Sequence, residues 1–191
     1  MDTSWNPDRF KNWTLFLDRD GVINRELPAD YVKCIEEFEF EHDAIQSIAD
    51  LSRIFGLIII VTNQRGVGAG LMTQSDLDAV HEHMKHHIQS AGGRIDAIYA
   101  ATAEDRQSIE RKPNPTMGMM AKSDFPEIEF DKSLMVGNSE SDIRFGQNLG
   151  MKTAFIDDKN QFSHSKSAFG SDWLFSSLAT LTKGLLNSGI E

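Results

Sequence analysis

Short apolar segments alternate with longer amphipathic segments along most of this chain, and this alternation limits the possible folds more than any other feature. The apolar segments have the length of β-strands and lie near Trp13–Leu17, Leu57–Thr62, Ile95–Ala100, Ser133–Val136 and Lys152–Ile156. The amphipathic segments predict helices near His42–Phe55, Gln74–Ser90, Thr116–Ser123 and Glu140–Leu149. Strands and helices in this order form right-handed β-α-β units. The sequence therefore predicts an α/β fold with a doubly wound (Rossmann-like) parallel sheet and helices on both faces.

The length of the chain, 191 residues, is typical of one domain. The sequence contains no internal repeat and no linker-like segment that would divide it. We predict a single domain over residues 1–191, with a core at about 13–157 and a C-terminal extension at 158–191. No segment between the predicted strands is long enough to form a large separate cap domain.

The composition argues against several classes of function. A net charge of −10 disfavours binding to nucleic acids and to anionic membranes. The longest apolar run, Leu57–Val61, is much shorter than the roughly 20 residues that a membrane span needs. The N-terminus does not resemble a signal peptide, and the single Cys34 cannot form an internal disulfide. We therefore expect a cytoplasmic protein, either a monomer or a weak homo-oligomer.

Three of the predicted strands are followed by polar residues. These are Asp18 and Asp20 after the first strand, Thr62, Asn63 and Gln64 after the second, and Asn138 and Asp142 after the fourth. In a doubly wound sheet, ligands bind beyond the carboxyl ends of the strands, where the strand order reverses. We therefore expect these side chains to surround one site.

Asp18 and Asp20 are the most informative pair in this set, because two carboxylates so close together stay ionised only beside a cation. Mg²⁺ is suitable, since it binds oxygen ligands and completes its shell with water and a substrate phosphate. One carboxylate could attack phosphorus to form an aspartyl-phosphate, and the other could transfer protons. Thr62, Asn63 and Lys112 could bind the phosphoryl oxygens. The residues thus indicate phosphoryl chemistry at a magnesium site.

Four segments resemble the four motifs of the haloacid dehalogenase-like (HAD) phosphatases, in the same order along the chain. They are FLDRDGVIN, VTNQRGVGAG, RKPNP and MVGNSESD. The resemblance extends from about Leu15 to Ile156, which is most of the chain. Two further segments, DYVKCIEEFEFEHDAI and SDWLFSSLATL, resemble the D-glycero-D-manno-heptose-1,7-bisphosphate 7-phosphatase and histidinol-phosphatase branch. The heptose enzymes are the more similar of the two.

This resemblance implies a role for each residue of the site. The catalytic residues would be the nucleophile Asp18, the general acid and base Asp20, and the phosphoryl-binding Thr62 and Lys112. The substrate-binding residues would be Asn63, Gln64 and Arg111. The Mg²⁺ ligands would be Asp18, the backbone carbonyl of Asp20, and Asn138 and Asp142 of the fourth motif, Asp142 through a water molecule.

Asn138 departs from the family pattern, in which the fourth motif begins with Asp. Its amide oxygen can coordinate Mg²⁺, but without a negative charge it attracts the ion less strongly. We therefore keep one alternative from another class of protein, a weakened binding protein with the same fold. A second departure is the segment before RKPNP, which lacks the Cys and His residues of the zinc loop in this branch, so no zinc is predicted.

Two other motifs have simpler interpretations. The glycines of Gly66–Gly70 follow a strand, but they lack the G-x-G-x-x-G spacing of a dinucleotide-binding loop. His83 and His87 are four residues apart in the stretch His81–His87, where a metal site is conceivable, but a solvated helix face is the commoner origin of such a pattern.

The expected function is hydrolysis of a small phosphorylated metabolite, a phosphomonoester of a sugar, in a Mg²⁺-dependent reaction. The resemblance makes D-glycero-D-manno-heptose 1,7-bisphosphate the first choice of substrate, with removal of its 7-phosphate. Histidinol phosphate is the alternative substrate from the same branch.

Overall fold

The computed structural model describes residues 10–27, 30–162 and 167–187, and these residues form a six-stranded sheet. The strands are β1 (Thr14–Leu17), β2 (Leu57–Asn63), β3 (Ala97–Ala101), β4 (Ser133–Gly137), β5 (Lys152–Ile156) and β6 (Trp173–Phe175). They are all parallel, in the order β3-β2-β1-β4-β5-β6. The sheet confirms the predicted doubly wound α/β fold.

Helices connect the strands. In the described residues they are α1 (Ala44–Leu51), α2 (Arg65–Gly68), α3 (Gln74–Ser90), α4 (Thr116–Asp124), α5 (Glu140–Leu149) and α6 (Leu178–Asn187). Short 3₁₀ helices occupy Ile35–Glu37 and Phe130–Lys132. Among the described helices, none combines the length and the apolar character that a membrane-spanning segment requires.

The side chains of the central strands alternate between two hydrophobic cores, one on each face of the sheet. Leu15 and Leu17 of β1 belong to a core that is completed by apolar residues of α1, α3 and α6. Phe16, which lies between them, belongs to a second core with residues of α4 and α5. All three are completely buried. Because successive residues of a strand point to opposite faces, this packing fixes β1 from both sides and holds its carboxyl end in place.

The described residues after position 157, in the predicted C-terminal extension, add a strand and a helix to the fold. β6 pairs with β5 through Ala154 and Trp173, and α6 packs against α1. The sequence analysis missed β6 because it is a half-buried edge strand of only three residues. It also placed the start of α1 too early, at His42, whereas the helix begins after Asp43, whose φ of 60° is left-handed rather than helical.

Candidate active site

The cleft beyond the carboxyl ends of β1, β2 and β4 contains most of the polar residues that the sequence predicted. β1 lies between β2 and β4, at the point where the strand order reverses. The cleft has a volume of about 160 Å³. Its lining includes six predicted site residues: Asp18, Asp20, Thr62, Asn63, Lys112 and Asn138. The other three predicted residues, Gln64, Arg111 and Asp142, are outside this lining.

Asp18 is the first residue after β1, and its position is fixed by both backbone and side-chain contacts. Its backbone N–H donates to the carbonyl of Val136 in β4, with an N–O distance of 2.9 Å. Oδ1 accepts from the backbone N–H of Arg19 at 2.7 Å and lies 2.8 Å from Nζ of Lys112. Burial and the charge of Asp142 raise the pKa of Asp18 to about 7, although Lys112 opposes this effect. The carboxyl group therefore takes up a proton more readily than an ordinary aspartate.

Lys112 is the buried cation of the site. Its Nζ lies 2.8 Å from Asp18, 2.6 Å from Oδ1 of Asp142, and 2.7 Å from the carbonyl oxygen of Val61, to which it donates. Burial alone would lower the pKa of Lys112, but the charges of Asp142 and Asp18 outweigh burial and raise it above the ordinary value. The side chain thus remains protonated and supplies a fixed positive charge in a molecule with net charge −10.

Asp20 receives hydrogen bonds from three side chains. Oδ1 accepts from Nη2 of Arg19 at 2.8 Å and from Nδ2 of Asn24 at 2.9 Å. Oδ2 accepts from the same Nη2 at 3.0 Å and from Nε2 of Gln64 at 2.7 Å. Burial alone would raise the pKa of Asp20, but the Arg19 charge and these hydrogen bonds outweigh it and hold the pKa below the ordinary value. Asp20 is therefore ionised at neutral pH.

Arg19 was not among the predicted site residues, although it lies between the two carboxylates in the sequence. The structure buries it completely, and its guanidinium contacts Asp20 and Nε2 of His81, which is 3.3 Å from Nη1. A charged residue between two site carboxylates is a signal that could have identified Arg19. Its partner on α3 gives no comparable signal, because 62 residues separate the two in the sequence.

Asn63 and Thr62 lie at the end of β2 and face the cleft from the side opposite β4. The side chain of Asn63 bonds both backbone groups of Lys112: Oδ1 accepts from the N–H at 3.0 Å, and Nδ2 donates to the carbonyl at 3.3 Å. Oγ1 of Thr62 accepts from Nε2 of Gln64 at 2.9 Å, so the hydroxyl proton of Thr62 remains available for a ligand. Asn63 thus positions Lys112, and Gln64 positions Thr62.

Gln64 differs from the expectation that it faces the substrate. It is completely buried, and Nε2 is committed to Asp20 and Thr62. The reason is the end of β2, where the backbone N–H of Gln64 still bonds the carbonyl of Ala101 and directs the side chain behind the strand end. In this structure, Gln64 supports two cleft residues and does not line the cleft.

Arg111 lies beside the cleft, near Tyr31, which is one of the lining residues. Burial and the nearby positive charges of Arg65 and Arg106 lower the pKa of Arg111, while Tyr31 opposes them. Nη1 of Arg111 is buried and has no hydrogen-bond partner within the described residues. A buried guanidinium nitrogen without a partner is unfavourable, so an acceptor placed at this nitrogen would be stabilising.

The fourth motif places Asn138 at the cleft and Asp142 behind it. Asp142 is completely buried; Oδ1 contacts Lys112, and Oδ2 accepts from the backbone N–H and the hydroxyl of Ser139 at the start of α5. Asn138 packs against Gly21, where a Cβ atom would lie 1.9 Å from its Nδ2. Asp142 is thus paired with Lys112 and Ser139 behind the cleft, whereas Asn138, together with Ser139 and Ser141 of the same motif, lines the cleft.

The oxygen atoms at the cleft include possible ligands for a divalent cation. In the described part of the chain, no group of three or more His, Cys, Asp or Glu side chains is arranged as a metal site. The cleft nevertheless offers three oxygen donors: the carboxylate of Asp18, the amide oxygen of Asn138 and the backbone carbonyl of Asp20. Oxygen ligands with few protein contributors are what Mg²⁺ accepts, so the residues fit this ion.

The histidines of the stretch His81–His87 are divided between two environments. His81 is buried beside Arg19. His83 and His87 lie on the outer part of α3, with ring centroids 4.3 Å apart, and both contact Phe40. Nδ1 of His87 lies 2.9 Å from the carbonyl oxygen of His83, so one ring nitrogen is engaged within the helix. His83 is half-buried and His87 is exposed, and with Phe40 they form an aromatic cluster at the surface.

Comparisons with known proteins give a consistent set of relatives. A family model described as HAD-hydrolase-like matches residues 109–181. D-glycero-alpha-D-manno-heptose-1,7-bisphosphate 7-phosphatase of Mycobacterium tuberculosis is 38% identical over 138 residues, which cover 72% of this chain and 73% of the relative. D-glycero-beta-D-manno-heptose-1,7-bisphosphate 7-phosphatase of Escherichia coli K12 is 30% identical over 181 residues, with coverage of 90% and 92%.

The solved structures include a similar fold over nearly the whole chain. The crystal structure of D,D-heptose 1,7-bisphosphate phosphatase from B. bronchiseptica, complexed with magnesium and phosphate, superimposes with a TM-score of 0.81. The two chains are 26% identical, and the match covers 91% of this chain and 98% of the other.

Proposed function

Because the chain belongs to the family of the D-glycero-D-manno-heptose-1,7-bisphosphate 7-phosphatases, within the HAD-like hydrolases, we propose that it removes the 7-phosphate of D-glycero-D-manno-heptose 1,7-bisphosphate. This membership confirms the resemblance read from the four sequence motifs. The observation that carries the proposal is the contact of Lys112 with Asp18 at the base of the cleft, 2.8 Å from Nζ to Oδ1. A buried cation beside a buried carboxylate is suited to phosphoryl transfer.

In the first step, a carboxylate oxygen of Asp18 attacks phosphorus, and the bond between phosphorus and the sugar oxygen breaks. Oδ1 is held by Arg19 and Lys112, so Oδ2 is the oxygen that is free to attack. The sugar oxygen leaves as an alkoxide and takes a proton from Asp20, which gives the free alcohol and an aspartyl-phosphate. Lys112 and the Thr62 hydroxyl stabilise the negative charge on the phosphoryl oxygens during the transfer.

Asp20 must carry a proton for this step, although its pKa is low in the free protein. A bound phosphate dianion adds negative charge next to Asp20 and opposes the effect of Arg19, so substrate binding favours protonation. In the second step, Asp20 is ionised again and accepts a proton from a water molecule that attacks the aspartyl-phosphate. Inorganic phosphate leaves, and Asp18 is regenerated. The low pKa in the free protein therefore suits the second step.

The residues that would hold Mg²⁺ are Asp18 through its carboxylate, Asp20 through its backbone carbonyl, and Asn138 through its amide oxygen. Asp142 would act on the ion through its charge, since both of its oxygens have partners. When bound, Mg²⁺ neutralises the phosphate and the developing charge of the transition state. Because Asn138 is neutral where the family pattern has Asp, the ion meets one negative charge fewer. We therefore expect a moderate affinity for Mg²⁺.

Arg111 is the proposed contact for the second phosphate of the substrate. Its Nη1 is buried without a hydrogen-bond partner among the described residues, and Arg65 and Arg106 add positive charge nearby. Tyr31, which lines the cleft, is close enough to Arg111 to influence its pKa, so Arg111 is near the cleft although it does not line it. A bisphosphate could place one phosphate at Asp18 and the other near Arg111, which supports a sugar bisphosphate as the substrate class.

The test is release of inorganic phosphate by the purified protein with Mg²⁺, compared across substrates by kcat/KM. The panel contains heptose 1,7-bisphosphate, histidinol phosphate, simple sugar monophosphates and p-nitrophenyl phosphate. D18N is the control, because the amide cannot form the aspartyl-phosphate. If wild-type protein and D18N give the same rate on every substrate, the protein is a binding protein and not a phosphatase. Preference for histidinol phosphate would replace the proposed substrate with its alternative.

A further inference from the structure

The Arg19 guanidinium is held between two partners on different elements. Nε and Nη2 contact the carboxylate of Asp20, with distances of 3.3 Å and 2.8 Å to Oδ1 and of 3.0 Å from Nη2 to Oδ2. On its other edge, Nη1 lies 3.3 Å from Nε2 of His81 on α3. Arg19 is completely buried and His81 is almost completely buried. Water therefore does not compete at this position, and the geometry of the guanidinium depends on the two side chains.

The contact defines the proton arrangement of His81. A guanidinium has only donors, so Nε2 of His81 must be the acceptor. The imidazole is therefore neutral and carries its proton on Nδ1. Burial and the adjacent Arg19 charge lower the pKa of His81 to about 4, which agrees with a neutral ring.

The position of His81 on α3 needs an explanation, because the other buried residues of this helix are apolar. They are Leu77, Val80, Met84 and Ile88. An apolar side chain at position 81 would match the other buried residues of α3, but it would leave Nη1 of Arg19 without an acceptor among the described residues. A buried charged donor without a partner is costly, and the guanidinium would tend to rotate to find one. The presence of a polar side chain at position 81 is therefore explained by its contact with Arg19 and not by packing in the core.

We propose that His81 is a positioning residue for Asp20: by accepting from Nη1 it fixes the plane of the Arg19 guanidinium, and the guanidinium in turn fixes the Asp20 carboxylate. This inference rests on the proposed function, in which Asp20 gives a proton to the leaving oxygen. It extends the catalytic site to α3, a helix that contributes no residue to the lining of the cleft.

The dependence of the rate on the leaving group tests this role. An alkoxide leaving group needs the proton of Asp20, whereas p-nitrophenolate leaves readily without it. We expect H81L to lower the single-turnover rate of the first step on a sugar phosphate about tenfold, a fraction of what general acid catalysis contributes. The same rate on p-nitrophenyl phosphate should change less than about twofold, since its leaving group gains little from the acid. H81Q, whose side-chain oxygen can accept from Arg19, should restore the rate on the sugar phosphate.

M84L is the matched control, because Met84 is buried on the same helix and the change affects packing alone. It should leave the ratio of the two rates unchanged. Equal losses on both substrates in H81L, or an H81Q protein no better than H81L, would show that His81 has only a structural role. H81N, whose side chain is shorter than that of His, replaces H81L in the comparison if circular dichroism shows that H81L does not fold.

A second measurement does not require activity. Solvent exchange of the Arg19 guanidinium protons, followed by ¹⁵N NMR, should be slow in the wild type and in H81Q and at least several-fold faster in H81L. Unchanged exchange in H81L would overturn the inference. If the wild type hydrolyses no phosphate ester, the proposed function fails, and the exchange rates still decide whether His81 holds Arg19.

Discussion

Nζ of Lys112 lies 2.6 Å from Oδ1 of Asp142, and both side chains are almost completely excluded from solvent. Asp142 does not line the cleft, yet it neutralises part of the positive charge of Lys112, which also contacts Asp18. The same carboxylate also bonds Ser139 at the start of α5. One buried aspartate therefore connects the charge balance of the site with the position of a helix.

Removal of this carboxylate should destabilise the protein strongly. In D142A, Lys112 loses one of its two anionic partners, and α5 loses the side chain that bonds Ser139. Breaking a buried ion pair on one side typically costs about 3–5 kcal/mol in the free energy of unfolding. Urea denaturation measures this change. E140A, which removes the exposed ion pair with Arg144 on the same helix, should cost less than about 1 kcal/mol. Similar losses in both variants would contradict this account of Asp142.

The affinity for Mg²⁺ should increase with pH across the neutral range. Folding raises the pKa of Asp18 from 3.8 to about 7, so the proton stabilises the metal-free fold, and this stabilisation is lost as pH rises through 7. Mg²⁺ binds the carboxylate form, and binding below pH 7 must therefore release a proton. Calorimetric titrations in buffers of different ionisation enthalpy count these protons. D18N should release none, and release that persists in D18N would assign the proton to another group.

Restoration of the usual acidic residue at position 138 should strengthen the metal site. N138D adds one negative charge to a set of oxygen donors, and we expect the dissociation constant for Mg²⁺ to fall on the order of tenfold. Calorimetry with Mg²⁺ alone measures this without any substrate. A metal titration curve identical to that of the wild type would show that residue 138 does not contact the ion.

Alanine at position 21 should disturb the site through Asn138. Gly21 has a φ of +79°, and a Cβ atom there would lie 1.9 Å from Nδ2 of Asn138. G21A should therefore weaken Mg²⁺ binding and reduce phosphate release, in addition to the roughly 1–2 kcal/mol that an L-residue costs at positive φ. G70A is the control, since Gly70 has a φ of +69° but open space around the position of its Cβ. G70A should lose a similar amount of stability, because its backbone is also left-handed, but its affinity for Mg²⁺ should not change. If the two variants bind Mg²⁺ equally well, the contact with Asn138 is unimportant.

The sequence was sufficient to predict the fold and the location of the cleft, because both depend on local patterns. Each of the first five strands is a short apolar run, and the carboxyl ends of parallel strands lie at one edge of the sheet. Asp18, Thr62 and Asn138 could be assigned to one place for this reason.

The directions of individual side chains could not be predicted in this way. Gln64 lies at a strand end like Thr62 and Asn63, but its side chain turns inward to bond Asp20. The pairing of Arg19 with His81 depends on how α3 packs on the sheet, which no local pattern specifies. β6 was missed because three half-buried residues carry too little periodicity to be distinguished from a loop.

The two hydrogen bonds between the Asn63 side chain and the backbone of Lys112 have a consequence for the divergence of relatives. An amide side chain at the end of a rigid strand anchors the backbone of Lys112, so the loop over residues 102–111 does not have to supply that anchor. Insertions, deletions or an added metal-binding finger could accumulate in this loop while the ammonium stays in register with Asp18. Substrate preference and reaction chemistry could then evolve at separate rates within a single polypeptide.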